Sequence, residues 1–321
     1  MNFVYKIVFL FIIAQLLGAL VGVLLITNSQ LVPEFEEMRV TPIGETGDLL
    51  NGIFFILYVV FGAVVFYFII KYYKGVFLFR SMEFIIILFA SSIVFFVLLY
   101  SFIPGLGVDE SFLIGFVIAL ILAGTKWITH KARNFAAILS SAGVGAIFGF
   151  SLGFWPAILL MIGLSVYDYI AVFKTKHMIT FAKTLSKKNL SFSLQVGEDI
   201  SEGDKIIKEK NKEIENKTKV VSSTSKSFSK GDSYAFKDNK RKKMELGTGD
   251  LIMPIMVSVA SFYVFGLLGT LSVIIGATLA FIVLIYYISK RKLFLPALPP
   301  LTAGCLIGLG VFYLIKLCVG L

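Results

Sequence analysis

The chain has 321 residues, of which 57% are hydrophobic, and a mean hydropathy of +0.88, which excludes an ordinary soluble globule and points to a polytopic membrane protein. The formal net charge is +10, but the cations lie between apolar runs, so membrane topology accounts for them and no nucleic-acid partner is implied. The two cysteines, Cys305 and Cys318, share the last apolar run, so no disulfide framework follows.

A span needs about 20 apolar residues, and that rule predicts nine helices, at about 4–26, 49–70, 83–103, 111–128, 134–152, 155–173, 250–267, 270–288 and 295–317. The run from Val4 to Ile26 has only Lys6 ahead of it and no small-residue cleavage site followed by a polar mature domain, so it is a retained first helix and not a removed signal peptide. The connections then alternate in charge. Glu34, Glu36, Glu37, Glu45 and Asp48 against Arg39 place the first loop outside; Lys71, Lys74 and Arg80 place the next inside. Asp109 and Glu110 mark an outside loop, Lys126, Lys131 and Arg133 an inside one, and the Gly153 to Trp155 turn is uncharged. The segment after Phe173 is basic, the turn near Gly269 is neutral, and Lys290, Arg291 and Lys292 are basic again. Nine spans with a cytoplasmic amino terminus and an outside carboxy terminus satisfy every connection, as expected of a multi-pass protein of the cell membrane.

This divides the chain into spans 1–173, a loop at 174–246 and spans 247–321. Lys, Glu, Asn, Ser and Thr dominate the loop; it lacks the apolar surface to offset its ordering entropy, so a largely disordered cytoplasmic linker is expected. Its stretch from Leu190 to Val196 is mildly apolar, suited to the bilayer surface or to adding a strand. Asn216-Lys217-Thr218 matches a glycosylation sequon but falls on the cytoplasmic side, where chance is the better explanation. His130 and His177 are far apart in basic surroundings, with no H-E-x-x-H pair, and make no metal site.

Ser141, Gly145, Gly149 and Gly153 recur every four residues in the fifth helix, a small-residue face that lets another backbone approach; Gly18 with Gly22, and Gly304 with Gly308, do the same more weakly. Gly149-Phe150-Ser151-Leu152-Gly153 also matches G-x-S-x-G, but a serine nucleophile needs a strand-to-helix turn and a histidine partner. This serine lies in a membrane helix near the outer face, while both histidines belong inside, so packing is the better reading.

Acids within the apolar runs are few. Glu83 opens the third helix at the cytoplasmic interface, Lys316 can snorkel from the ninth, and Gln15 and Asn51 suit interhelical hydrogen bonds. Asp168 is different: it sits inside the sixth helix among Val166, Ile170, Ala171 and Val172. Asp168 lies six positions before Lys174, and Asp250 seven after Lys243. At about 1.5 Å of rise per residue both carboxylates are roughly 10 Å from the basic anchors, at matched depth on antiparallel helices. Two facing carboxylates repel unless they share a proton, a cost that favours function over structure. Gly247 and Gly249 remove side chains where the backbone enters the membrane. Pro296-Ala297-Leu298-Pro299-Pro300 opens the ninth helix at similar depth, a bend tolerated in a membrane only against protein or a water-filled cavity.

Tyr167-Asp168, Gly247-Thr248-Gly249-Asp250 and Pro296-Ala297-Leu298-Pro299 resemble the three signature motifs of the presenilin and signal-peptide-peptidase family of intramembrane aspartyl proteases, in the same order and with the same span count. The resemblance covers essentially the whole chain. Val166-Tyr167-Asp168-Tyr169-Ile170-Ala171-Val172 and the predicted orientation are presenilin-like, signal-peptide peptidases being inverted. Thr248 stands where the family usually has leucine, and Asp250-Leu251-Ile252-Met253-Pro254 is nearer the peptidase branch. The compact size and few cysteines suit a prokaryotic, archaeal homologue.

The resemblance implies an all-α, nine-span fold and peptide hydrolysis within transmembrane-helix substrates in the bilayer. Asp168 and Asp250 would be catalytic, with Tyr167, Gly247, Thr248, Gly249, Pro296, Ala297, Leu298 and Pro299 around the substrate, and no metal or other cofactor. It also implies that the loop gates access or is self-cleaved, and it leaves a homo-oligomer or partner subunits open, since presenilins work in a complex and signal-peptide peptidases do not require one. The residues alone leave two rivals: a proton- or cation-coupled transporter or channel using the same acids, and a scaffold whose acids only pair helices. No inverted repeat or second pair of broken helices supports transport.

Overall fold

A backbone in hydrocarbon must satisfy its own polar groups, so apolar runs of this length become helices. The computed structural model describes residues 2–42, 46–72, 77–126, 130–173, 193–196, 244–291 and 296–319. In chain order these form α1 (Asn2–Ser29), the short α2 (Pro33–Glu36), α3 (Leu49–Tyr72), α4 (Phe77–Phe102), α5 (Val108–Thr125), α6 (His130–Leu152), α7 (Phe154–Phe173), β1 (Ser193–Val196), β2 (Met244–Gly247), α8 (Thr248–Arg291) and α9 (Leu298–Val319). Met1–Leu194 with Glu245–Leu321 makes one compact unit, which holds all these helices; Gln195–Met244 makes another.

Eight of the described helices are long and apolar enough to cross a membrane. At its 44 residues α8 is too long for one crossing, and Gly266 breaks it with φ 62° and ψ −156°. Only glycine adopts that conformation readily, so the two arms of α8 raise the crossings to nine. The break comes three residues before the expected turn near Gly269. The third helix starts at Phe77 and not near Glu83, because Glu83 is buried and ion-paired with Lys126 of the α5 end; a paired acid need not stay at the interface.

The small-residue faces set how the core closes. A Cβ on Gly145 would lie 2.6 Å from Ile255 Cγ2, and one on Gly149 2.5 Å from the Met256 carbonyl oxygen. On α1, a Cβ on Gly18 would meet Ile255 and one on Gly22 would meet Val259 just as closely, and a Cβ on Gly304 of α9 would lie 2.5 Å from the Gly276 oxygen on the second arm of α8. Ascending numbers on α1 and α6 meet ascending numbers on the first arm of α8, so these three helices run parallel; α9 runs antiparallel to the second arm. Alternating spans require both relations. Gly153, the last member of the stripe, is also the start of the expected turn. Its φ of 73° makes it the turn between α6 and α7, against Gly47 of the first loop.

α6 is the central helix: 78% of its spanning window is buried, against 17% for α3 on the periphery. One end of the bundle is closed by the loop between α1 and α3. There the Val40 N–H donates to Ser151 Oγ at 2.9 Å, the Gly47 N–H to the Leu152 carbonyl at 3.0 Å, and the Arg39 guanidinium, paired with Glu36, lies 4.4 Å from the Phe150 ring centroid. Ser151, the serine of the G-x-S-x-G match, is therefore buried as a loop anchor. The expected disordered linker at 174–246 falls mostly on residues outside those described, as do Asn216 and His177. Within it, β1 lies in the mildly apolar stretch Leu190 to Val196, and β1 and β2 form a two-stranded sheet.

Candidate active site

Asp168 is carried by α7 and is half-buried, as is Tyr167 before it. An acid there needs a donor in place of water. The structure supplies the backbone N–H of Leu298, which donates to Asp168 Oδ2 at 3.4 Å. Leu298 is the first residue of α9, and the first N–H groups of a helix have no partner of their own. Pro299 and Pro300 then occupy helix-start positions, where a missing N–H costs nothing. The segment Pro296 to Pro299 is thus joined to Asp168 through its main chain, with Pro296 buried and Ala297, Leu298 and Pro299 half-buried.

Asp250 sits in the first turn of α8, two residues after Thr248 opens the helix. Its carboxylate reaches back to accept the backbone N–H of Gly247, the last residue of β2; this is the reciprocal arm of a capping box. The glycines on either side of Thr248 differ. A Cβ on Gly247 would lie 3.2 Å from Asp250 Oδ2, whereas one on Gly249 would meet nothing within 4 Å among the described residues. Gly247 leaves room for the carboxylate, and the exposed Gly249 leaves the flank of the turn open.

α7, α8 and α9 all pack on one another, and the two carboxylates are near enough for their charges to act on each other. The three motifs, far apart in sequence, therefore converge on one place. Among the described residues no His, Cys, Asp and Glu cluster suited to a metal occurs. A cavity of about 620 Å³, lined by Arg39, Phe55, Tyr58 and Phe148 among others, lies at the first loop and includes neither aspartate.

The profile of the family described as signal-peptide peptidase, presenilin aspartyl protease matches residues 8–318. The chain belongs to that family. It is accordingly an intramembrane aspartyl protease, a hydrolase whose substrates lie in the bilayer, and the transporter reading is not favoured. Two crystal structures of a presenilin family intramembrane aspartate protease, in space groups C222 and P2, share its fold. The first has a TM-score of 0.60 at 20% identity over 96% of this chain and 97% of that one. The second has 0.56 at 20% identity over 95% and 96%. No curated protein sequence matches.

Gln15 bonds another helix, as expected, and its partner is the Leu251 carbonyl beside Asp250, at 3.3 Å and 236 residues away. Pro254 stood in the quoted stretch without a role; inside α8 it has no N–H for the carbonyl four residues back, which is that of Asp250.

Proposed function

We propose that Asp168 and Asp250 are the catalytic pair of an endopeptidase that cuts transmembrane segments by general acid and base catalysis. The observation that carries this reading is the meeting of two membrane carboxylates, each held by a backbone N–H from a signature motif, Leu298 for Asp168 and Gly247 for Asp250. Side chains so held are preorganised for proton transfer.

Of two close carboxylates, one carries the proton and the other the charge. The ionised one takes a proton from water as the water oxygen attacks the scissile carbonyl carbon. The protonated one donates to the carbonyl oxygen, giving a neutral diol. The carboxyl now protonated gives its proton to the amide nitrogen while the ionised one takes a proton from a diol hydroxyl, so the C–N bond breaks and an acid and an amine are released. The pair titrates as a unit.

A helix buries its carbonyls in its own hydrogen bonds, so the substrate must be extended at the cut. The open flank at Gly249 and the extended Leu246-Gly247 leading into Thr248 support its passage there, between Tyr167 and the Pro296 to Pro299 segment. The parallel run of α1, α6 and the first arm of α8, with basic residues at their starts, supports a cytoplasmic amino terminus, an outside carboxy terminus and a place in the cell membrane. Incubating the detergent-solubilised protein with a transmembrane peptide tests the proposal. Cleavage that disappears in both Asp168→Ala and Asp250→Ala is expected; ion flux in vesicles without cleavage would refute it.

A further inference from the structure

Gln15 stands near the middle of α1, thirteen residues after Asn2 and fourteen before Ser29, so its bond to Leu251 places the first turn of α8 well inside the length of a spanning helix. At that depth water is scarce and each backbone carbonyl needs a protein donor. The Asp250 carbonyl has lost its helical donor to Pro254, so the turn carrying the carboxylate lacks one rung. The next carbonyl, that of Leu251, receives the Gln15 Nε2 donor at 3.3 Å in a buried contact. One turn along the same face of α1, Gly18 packs against Ile255, and Gly22 follows against Val259. The three contacts pair Gln15, Gly18 and Gly22 with Leu251, Ile255 and Val259 in register. Gln15 is the polar member, next to the opened rung. Among the described residues its Oε1 is buried without a hydrogen-bond partner, a cost that a side chain present only to fill space would not carry.

We propose that Gln15 is a positioning residue for Asp250: its amide holds the opened first turn of α8 through the Leu251 carbonyl and so fixes where the carboxylate stands. The inference rests on the catalytic reading above for its effect on cleavage, but not for its effect on the turn.

Gln15→Met keeps the length and volume while removing both the donor and the unpartnered oxygen, so the global melting temperature should stay at the wild-type value. Turnover of a transmembrane peptide should fall about three- to tenfold with KM unchanged, the worth of one hydrogen bond. Hydrogen exchange at the amides of Leu251, Ile252, Met253 and Ile255 should quicken by a similar factor, while the amides of α6 stay as they were. Pro254→Ala restores the missing N–H, so adding Gln15→Met to that variant should cost less than it does in wild type. Unchanged exchange in the turn would overturn the proposal. So would a lowered melting temperature with faster exchange along all of α8, which marks a purely structural role. If the Asp168→Ala and Asp250→Ala variants cleave like wild type, the catalytic reading falls, and the exchange measurement still decides whether Gln15 holds the turn.

Discussion

Gly149→Ala adds one methyl group where α6 crosses the first arm of α8. The new Cβ would stand 2.5 Å from the Met256 carbonyl oxygen and 2.6 Å from Val259 Cβ. A main-chain carbonyl cannot rotate away, so the helices must separate by about 1 Å to restore van der Waals contact. Overpacking of this kind costs about 1–3 kcal/mol, and replacing a helical glycine returns up to about 1 kcal/mol. The net loss is up to about 2 kcal/mol, or a melting temperature lower by up to about 8 °C at ~2–4 °C per kcal/mol. The same step displaces the helix that carries Asp250, so peptide cleavage should fall as well. Gly62→Ala is the control: nothing lies within 4 Å of its Cβ, and its stability should hold or rise slightly. Thermal unfolding in detergent with a parallel cleavage assay measures both. Gly149→Ala as stable and active as Gly62→Ala would refute the close crossing.

Two other predictions follow from the site and its surroundings. Gly247→Ala crowds the Asp250 carboxylate and should lower turnover about tenfold or more with little loss of stability, whereas Gly249→Ala enters open space and should fold normally; turnover and melting curves of the two, side by side, check this. Lys126→Met leaves the Glu83 carboxylate buried without its partner and should cost about 3–5 kcal/mol, while adding Glu83→Gln should recover much of that in the same melting assay; Lys126→Met at wild-type stability would deny the pair.

The spans were legible because hydropathy and the alternating loop charges are local properties, and they located every crossing, with the start of the third, six residues early at Phe77, the largest displacement. The division of α8 was legible too, as a turn near Gly269, although the left-handed backbone that makes the break stands three residues earlier, at Gly266. Glu83 illustrates a limit. Hydropathy treats an acid as a helix boundary, whereas Lys126, 43 residues on, neutralises it inside the fold. The turn beginning at Gly153 was legible as an uncharged gap between two apolar runs, whereas its contact with Gly47 of the first loop was not. The two aspartates stood out because unpaired acids in apolar runs are costly, and their depth could be counted along each helix. The Leu298 N–H on Asp168 and the Gln15 amide on Leu251 could not be foreseen, since both bonds join distant segments and one partner in each is main chain.

The most direct measurement concerns the pair itself. Asp168→Asn and Asp250→Asn keep the shape of each side chain and an oxygen to accept the Leu298 or Gly247 N–H, and remove only the ability to exchange a proton. If the two carboxylates act as one unit, each substitution alone should lower turnover of a transmembrane peptide about 10³-fold or more, and the double variant should be no worse than either single one. Substantial turnover retained by either single variant, or losses that add in the double variant, would contradict a two-aspartate mechanism.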